Sequence, residues 1–214
     1  MGRETIVLDP GHGGADHGVR GAEGTSEKTV TLILARMLAN ELEDRYRVIL
    51  TRTDDEGLDI HPRTAAANHL RADLFVSIHA GGKAAPHTGG AALFYFERKS
   101  ATASAADAPP SLPSSDEPSQ TLWRKVQHPH QSASRFLARL VGYRLSELTG
   151  SAESRIYGAP IAVLQGADMP AILIEISGPM HPVQEKKLQD TSILSDFAKG
   201  VAQGISDFFS KKRK

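Results

Sequence analysis

Short apolar runs alternate with longer amphipathic stretches along this chain, the pattern of strands and helices packed in layers. Ile6-Val7-Leu8, Arg47-Val48-Ile49-Leu50-Thr51 and Leu74-Phe75-Val76-Ser77-Ile78 read as strands, and Gly90 to Phe96 adds another. Between the first two, Val30, Ile33, Leu34, Met37, Leu38 and Leu42 recur at helical spacing, a stripe suited to covering a sheet face. A short helix is predicted from Arg63 to His69. Further on, Phe136, Leu137, Leu140 and Leu145 mark a helix, and Ile161 to Leu164 and Ala171 to Ile176 mark strands. Ile193, Phe197, Val201, Ile205 and Phe208 mark a last helix. This β-α-β alternation predicts an α/β fold with a largely parallel, twisted sheet flanked by helices.

The pattern breaks from about 98 to 120, where Ala, Ser and Pro dominate and Pro109-Pro110, Pro113 and Pro118 block regular structure. A flexible surface insertion is expected there, within one domain spanning residues 1–214, and no internal repeat is visible. The 25 basic and 25 acidic residues cancel, so no overall field favours nucleic acid. No apolar run approaches the roughly 20 residues of a membrane helix. Met1-Gly2-Arg3-Glu4 leads straight into the first strand without the apolar stretch of an export signal. The expectation is a cytosolic protein or one whose export signal is absent from this chain. Lys211-Lys212-Arg213-Lys214 reads as a solvated end.

With no cysteine, any metal must be held by histidine and carboxylate. Three strand-like runs end in such residues: the first enters Asp9-Pro10-Gly11-His12-Gly13-Gly14, the third ends in His79, and Ala171-Ile172-Leu173-Ile174 ends in Glu175. In open α/β sheets, ligands bind beyond the carboxyl ends of the strands, so a zinc-type centre is expected on that rim. His12, His79 and one acid would leave a fourth position for water. Asp16, Glu23 and Glu27 all follow the glycine loop as candidates, and on its position alone Glu27 reads first as a first-turn acid favouring a helix dipole. A carboxylate at Glu175 is costly to bury without a partner and suits a general base. Asp9 could fix an imidazole tautomer or cap a turn.

These residues resemble the zinc-dependent N-acetylmuramoyl-L-alanine amidases of the Amidase_3 family. The likeness runs through Ile6 to Gly14, Glu27-Lys28, Thr51-Arg52 with Asp54-Asp55, Arg63 with Asn68, Phe75 to Ala80, and Met169 to Glu175. It implies one zinc ion held by His12, Glu27 and His79, with Glu175 as the catalytic glutamate. The implied substrate is peptidoglycan, cleaved between the lactyl group of N-acetylmuramic acid and L-alanine outside the cytoplasmic membrane, in the periplasm or cell wall. Arg63 matches a family arginine that would orient a substrate carboxylate or form a structural ion pair. Gly81 and Glu175-Ile176-Ser177-Gly178 depart from the family pattern beside the site.

Some relatives carry an insertion that blocks the metal until an activator protein withdraws it. Residues 97–131, with Asp116, Glu117, His128 and His130, are the candidate segment. A monomer is expected. The competing readings are a zinc peptidase trimming stem peptides and a non-catalytic wall-binding or regulatory domain.

Overall fold

A computed structural model of the chain describes residues 2–81, 91–98, 126–149, 154–179 and 182–212. Thr5–Pro10 (β1), Arg47–Leu50 (β2), Leu74–Ala80 (β3), Ala91–Phe96 (β4), Arg155–Ala159 (β5) and Ala171–Ile176 (β6) form one sheet in the order β2-β1-β3-β6-β4-β5. Neighbours from β2 to β6 run parallel; β4 is antiparallel to β6 and parallel to β5. The carboxyl ends of β1, β3 and β6 therefore meet on one rim, which the amino ends of β4 and β5 extend.

Both faces of the sheet are covered, which explains why its central strands are near-continuous apolar runs. One face packs Ile6, Leu8, Val76, Ile78, Ile172 and Ile174 against Glu27–Leu42 (α1), Gln131–Thr149 (α3) and Thr191–Lys212 (α6). The other packs Val7, Phe75, Ala171 and Leu173 against Ile60–His69 (α2) and the short Ala162–Gln165 (α4). Pro182–Gln189 (α5) leads into α6. No helix among the described residues is long and apolar enough to cross a membrane.

Several elements differ from the sequence reading. The apolar run at Ile161 to Leu164 forms the turn of α4, which buries Val163 and Leu164. The neighbouring strand is β5, whose Arg-Ile-Tyr-Gly-Ala sequence is largely exposed on a sheet edge and so lacks an apolar signature. Ile33 lies off the buried stripe of α1 and is exposed, while Ala35 takes part in the packing. Most of the insertion expected at 98–120, with Asp116 and Glu117, lies outside the described residues.

Candidate metal centre

β1 ends in a tight loop because His12 adopts a left-handed conformation at φ 63°, followed by Gly13 and Gly14 at φ 131° and 57°. A non-glycine residue in this region costs about 1–3 kcal/mol and persists only where its surroundings fix it. Arg52 and Arg63 supply that fixation from below. Arg52 donates to the carbonyls of Pro10 and Gly11 at 3.1 and 2.9 Å, and Arg63 donates to those of Pro10 and His12 at 2.9 and 3.1 Å.

Glu27 opens α1 and is only 3% exposed, so its carboxylate must be satisfied internally. Oε1 accepts the Ala80 N–H at 2.8 Å and lies 3.1 Å from His12 Nε2 and 3.2 Å from His79 Nδ1. Oε2 accepts the Val19 N–H at 3.0 Å. The two imidazoles meet edge to face with centroids 5.0 Å apart. A Cβ added to Gly11 would fall 2.6 Å from the His79 ring, so this packing requires glycine there.

Electrostatics follow from the same contacts. Burial pushes the Glu27 carboxyl up, but hydrogen bonds from both imidazoles and from the Val19 and Ala80 amides outweigh it and hold the group well below the usual carboxylate range. Glu27 in turn raises the pKa of His12 against the effect of burial, with help from Asp16. The carboxylate is therefore ionised at neutral pH and faces two nitrogen donors.

Ligand atoms of His12, Glu27 and His79 all lie within 4.8 Å of one another. In a tetrahedral site with metal–ligand bonds of about 2.1 Å, neighbouring donors stand about 3.4 Å apart. The 3.1 and 3.2 Å separations around Glu27 Oε1 match that spacing, and two imidazole nitrogens with one carboxylate oxygen suit a hydrolytic metal ion. Of the three acids left open by the sequence, Glu27 is thus the one that joins the histidines.

Glu175 lies directly beside this group. β3 and β6 pair His79 with Glu175, so the two side chains leave the same face of the sheet on adjacent strands. Glu175 Oε1 accepts the Gly81 N–H at 2.8 Å.

Two supporting roles differ from expectation. Asp9 touches neither imidazole: it is fully buried and accepts from Thr51 Oγ1 at 2.7 Å, Arg63 Nη1 at 2.8 Å and Ser77 Oγ at 2.8 Å. Asp16 instead meets the second nitrogen of His12, with Oδ2 2.8 Å from Nδ1, and so fixes its tautomer. Its position four residues after His12 was the available signal. Of the two roles open to Arg63, the contacts fit the structural ion pair: it is 6% exposed, pairs with Asp9, and directs its remaining donors to the carbonyls of Leu58, Pro10 and His12. His130, a candidate ligand from the insertion, pairs with Asp168 at 3.1 Å.

Fold and site together define an open α/β protein with a candidate hydrolytic metal centre on the sheet rim. The chain belongs to the Amidase_3 family, described as N-acetylmuramoyl-L-alanine amidase, which matches residues 6–207. Among curated relatives it is 35% identical over 221 residues to the N-acetylmuramoyl-L-alanine amidase AmiC of Neisseria meningitidis serogroup B, an alignment covering 97% of this chain and 53% of that protein. The chain spans about half the length of this relative and of the Escherichia coli AmiC that it also matches. Among solved structures, the N-acetylmuramoyl-L-alanine amidase of Clostridium difficile 630 superposes with a TM-score of 0.76 at 27% identity, covering 99% of this chain and 100% of that one. The catalytic domain of CwlV from Bacillus (Paenibacillus) polymyxa var. colistinus gives 0.74 at 26%, covering 97% and 98%.

Proposed function

We propose that this chain is a zinc-dependent amidase that hydrolyses the bond between the lactyl group of N-acetylmuramic acid and L-alanine in peptidoglycan. The observation that carries the reading is the convergence of His12, Glu27 and His79 within 4.8 Å beside the register partner of His79, Glu175. His12, Glu27 and His79 would hold one zinc ion. When bound, zinc supplies Lewis-acid polarisation of the scissile carbonyl and acidifies water toward neutrality.

The other steps belong to the protein. Glu175 accepts a proton from the attacking water and returns it to the leaving amine of L-alanine. The Gly81 N–H fixes one oxygen of that carboxylate, which reduces its freedom to rotate away from the reacting atoms. Asp16 keeps the outer nitrogen of His12 protonated, so the inner one presents a lone pair. The substrate places the protein outside the cytoplasmic membrane, in the periplasm or cell wall.

Mass spectrometry of soluble products from purified peptidoglycan tests the proposal, with zinc-loaded protein beside a chelator-treated control. Intact stem peptides with an L-alanine amino terminus, lost on chelation, are expected. Shortened peptides still joined to muramic acid would make the protein a peptidase, and the absence of any metal-dependent product would leave a binding or regulatory domain.

A further inference from the structure

Glu185 on α5 is 0% exposed, yet the lysine and arginine ion pairs among the described residues, Lys28–Asp55, Arg63–Asp9, Arg144–Glu147 and Arg144–Asp207, do not include it. Backbone amides take the place of a cation. Glu185 Oε1 accepts the N–H of Glu23 at 3.0 Å and of Thr25 at 3.1 Å, and Oε2 lies 3.2 Å from the Glu23 nitrogen. A Cβ on Gly21 would fall 2.1 Å from Oε1, so a side chain at that position would displace the carboxylate. One turn along the same helix, Gln189 Nε2 donates to Thr25 Oγ1 at 3.0 Å.

The segment gathered in this way runs directly into the metal group. It folds back on itself through an antiparallel bridge between Arg20 and Ser26, with the Gly21 N–H donating to Thr25 O at 2.8 Å. At its base, the Glu27 N–H donates to Val19 O at 2.8 Å and the Val19 N–H donates to Glu27 Oε2 at 3.0 Å. The tip therefore encloses Glu185 while the base grips the side chain of Glu27.

We infer that Glu185 is a positioning residue for metal binding: by holding the Gly21–Thr25 tip against α5, it sets the Val19–Glu27 base and hence the Glu27 carboxylate. An ionised acceptor suits this task because each amide bond to it is stronger than a neutral one and several converge on it. The inference rests on His12, Glu27 and His79 forming the metal group.

The test compares zinc affinity, by competition with a chelating dye, and thermal midpoints with zinc and with EDTA, for wild type, Glu185→Ala, Glu185→Gln and the core control Leu137→Ala. Wild type should bind one zinc and gain a clear midpoint increment. Glu185→Ala should lose about 10–100-fold in zinc affinity, the range for residues that orient metal ligands, and its zinc increment should shrink. Glu185→Gln, which turns one acceptor into a donor facing the amides, should fall in the same direction. Leu137→Ala should lower both midpoints together and leave the increment intact. A folded Glu185 variant with reduced midpoints and wild-type zinc affinity would make the residue merely structural and overturn the inference; if Glu185→Ala does not fold, Glu185→Gln decides. Absence of zinc binding by wild type would instead remove the metal reading, and the inference with it.

Discussion

His79 and Glu175 face each other across the β3–β6 register, one contributing to the metal group and the other standing beside it. Replacing Glu175 with Gln keeps the side chain's size and removes its basicity. The expected result is a loss of about 10²–10⁴-fold in hydrolysis with zinc content unchanged. Product release from peptidoglycan, read with metal analysis on the same samples, checks both halves. Retained activity would remove Glu175 from its role.

Gly178 makes a second prediction, because a Cβ there would meet the Gly81 Cα at 2.0 Å and its nitrogen at 2.5 Å. That nitrogen holds Glu175. Gly178→Ala should therefore cost about 1–3 kcal/mol in stability through overpacking. It should also lower kcat through a displaced Glu175 while zinc binding persists. A stable variant with unchanged kcat would mean that the close approach of the two glycines does not govern the glutamate.

Both departures from the family pattern, Gly81 and Ser177-Gly178, thus fall where two loops touch, and their spacing alone could not reveal this. The strands of the site were legible because burial on both faces leaves continuous apolar runs ending in His12, His79 and Glu175. Glu27 was one acid among three in the sequence, since its link to the histidines depends on an 18–27 segment that folds back on itself. Asp16 took the tautomer-fixing part expected of Asp9 for a similar reason: the side chain of Asp9 meets Thr51, Arg63 and Ser77, and its strand pairs it with Ser77 of β3. β5 and α5 escaped notice because one is an exposed edge and the other a short polar helix whose buried Glu185 contacts residues some 160 positions away.

Arg63 separates support from recognition. Arg63→Met would leave Asp9 fully buried without its cation, a loss expected to cost about 3–5 kcal/mol. Urea unfolding measures it. If the arginine bound substrate instead, the variant would keep its stability and show a raised KM, which is the outcome that would reverse the structural assignment.

The pH dependence of stability provides the last prediction. Burial pushes the Glu185 carboxyl up, but the amides of Glu23, Thr25 and Ala22 and the Thr25 hydroxyl outweigh it and hold the group below the usual carboxylate range. A carboxyl depressed in the folded state stabilises the protein above its unfolded pKa, about 4.3, and loses that contribution as pH falls through the folded value. Protonated Glu185 resembles glutamine in charge and shape. The difference in urea midpoint between wild type and Glu185→Gln, both in EDTA, should therefore stay constant from about pH 7 down to pH 5.5 and narrow below about pH 4. All other carboxylates are common to the two proteins and cancel in the difference. A gap that stayed constant to pH 3, or widened on acidification, would show that the amides around Glu185 do not favour its charged form, and the grip on the Gly21–Thr25 tip would have to arise from packing alone.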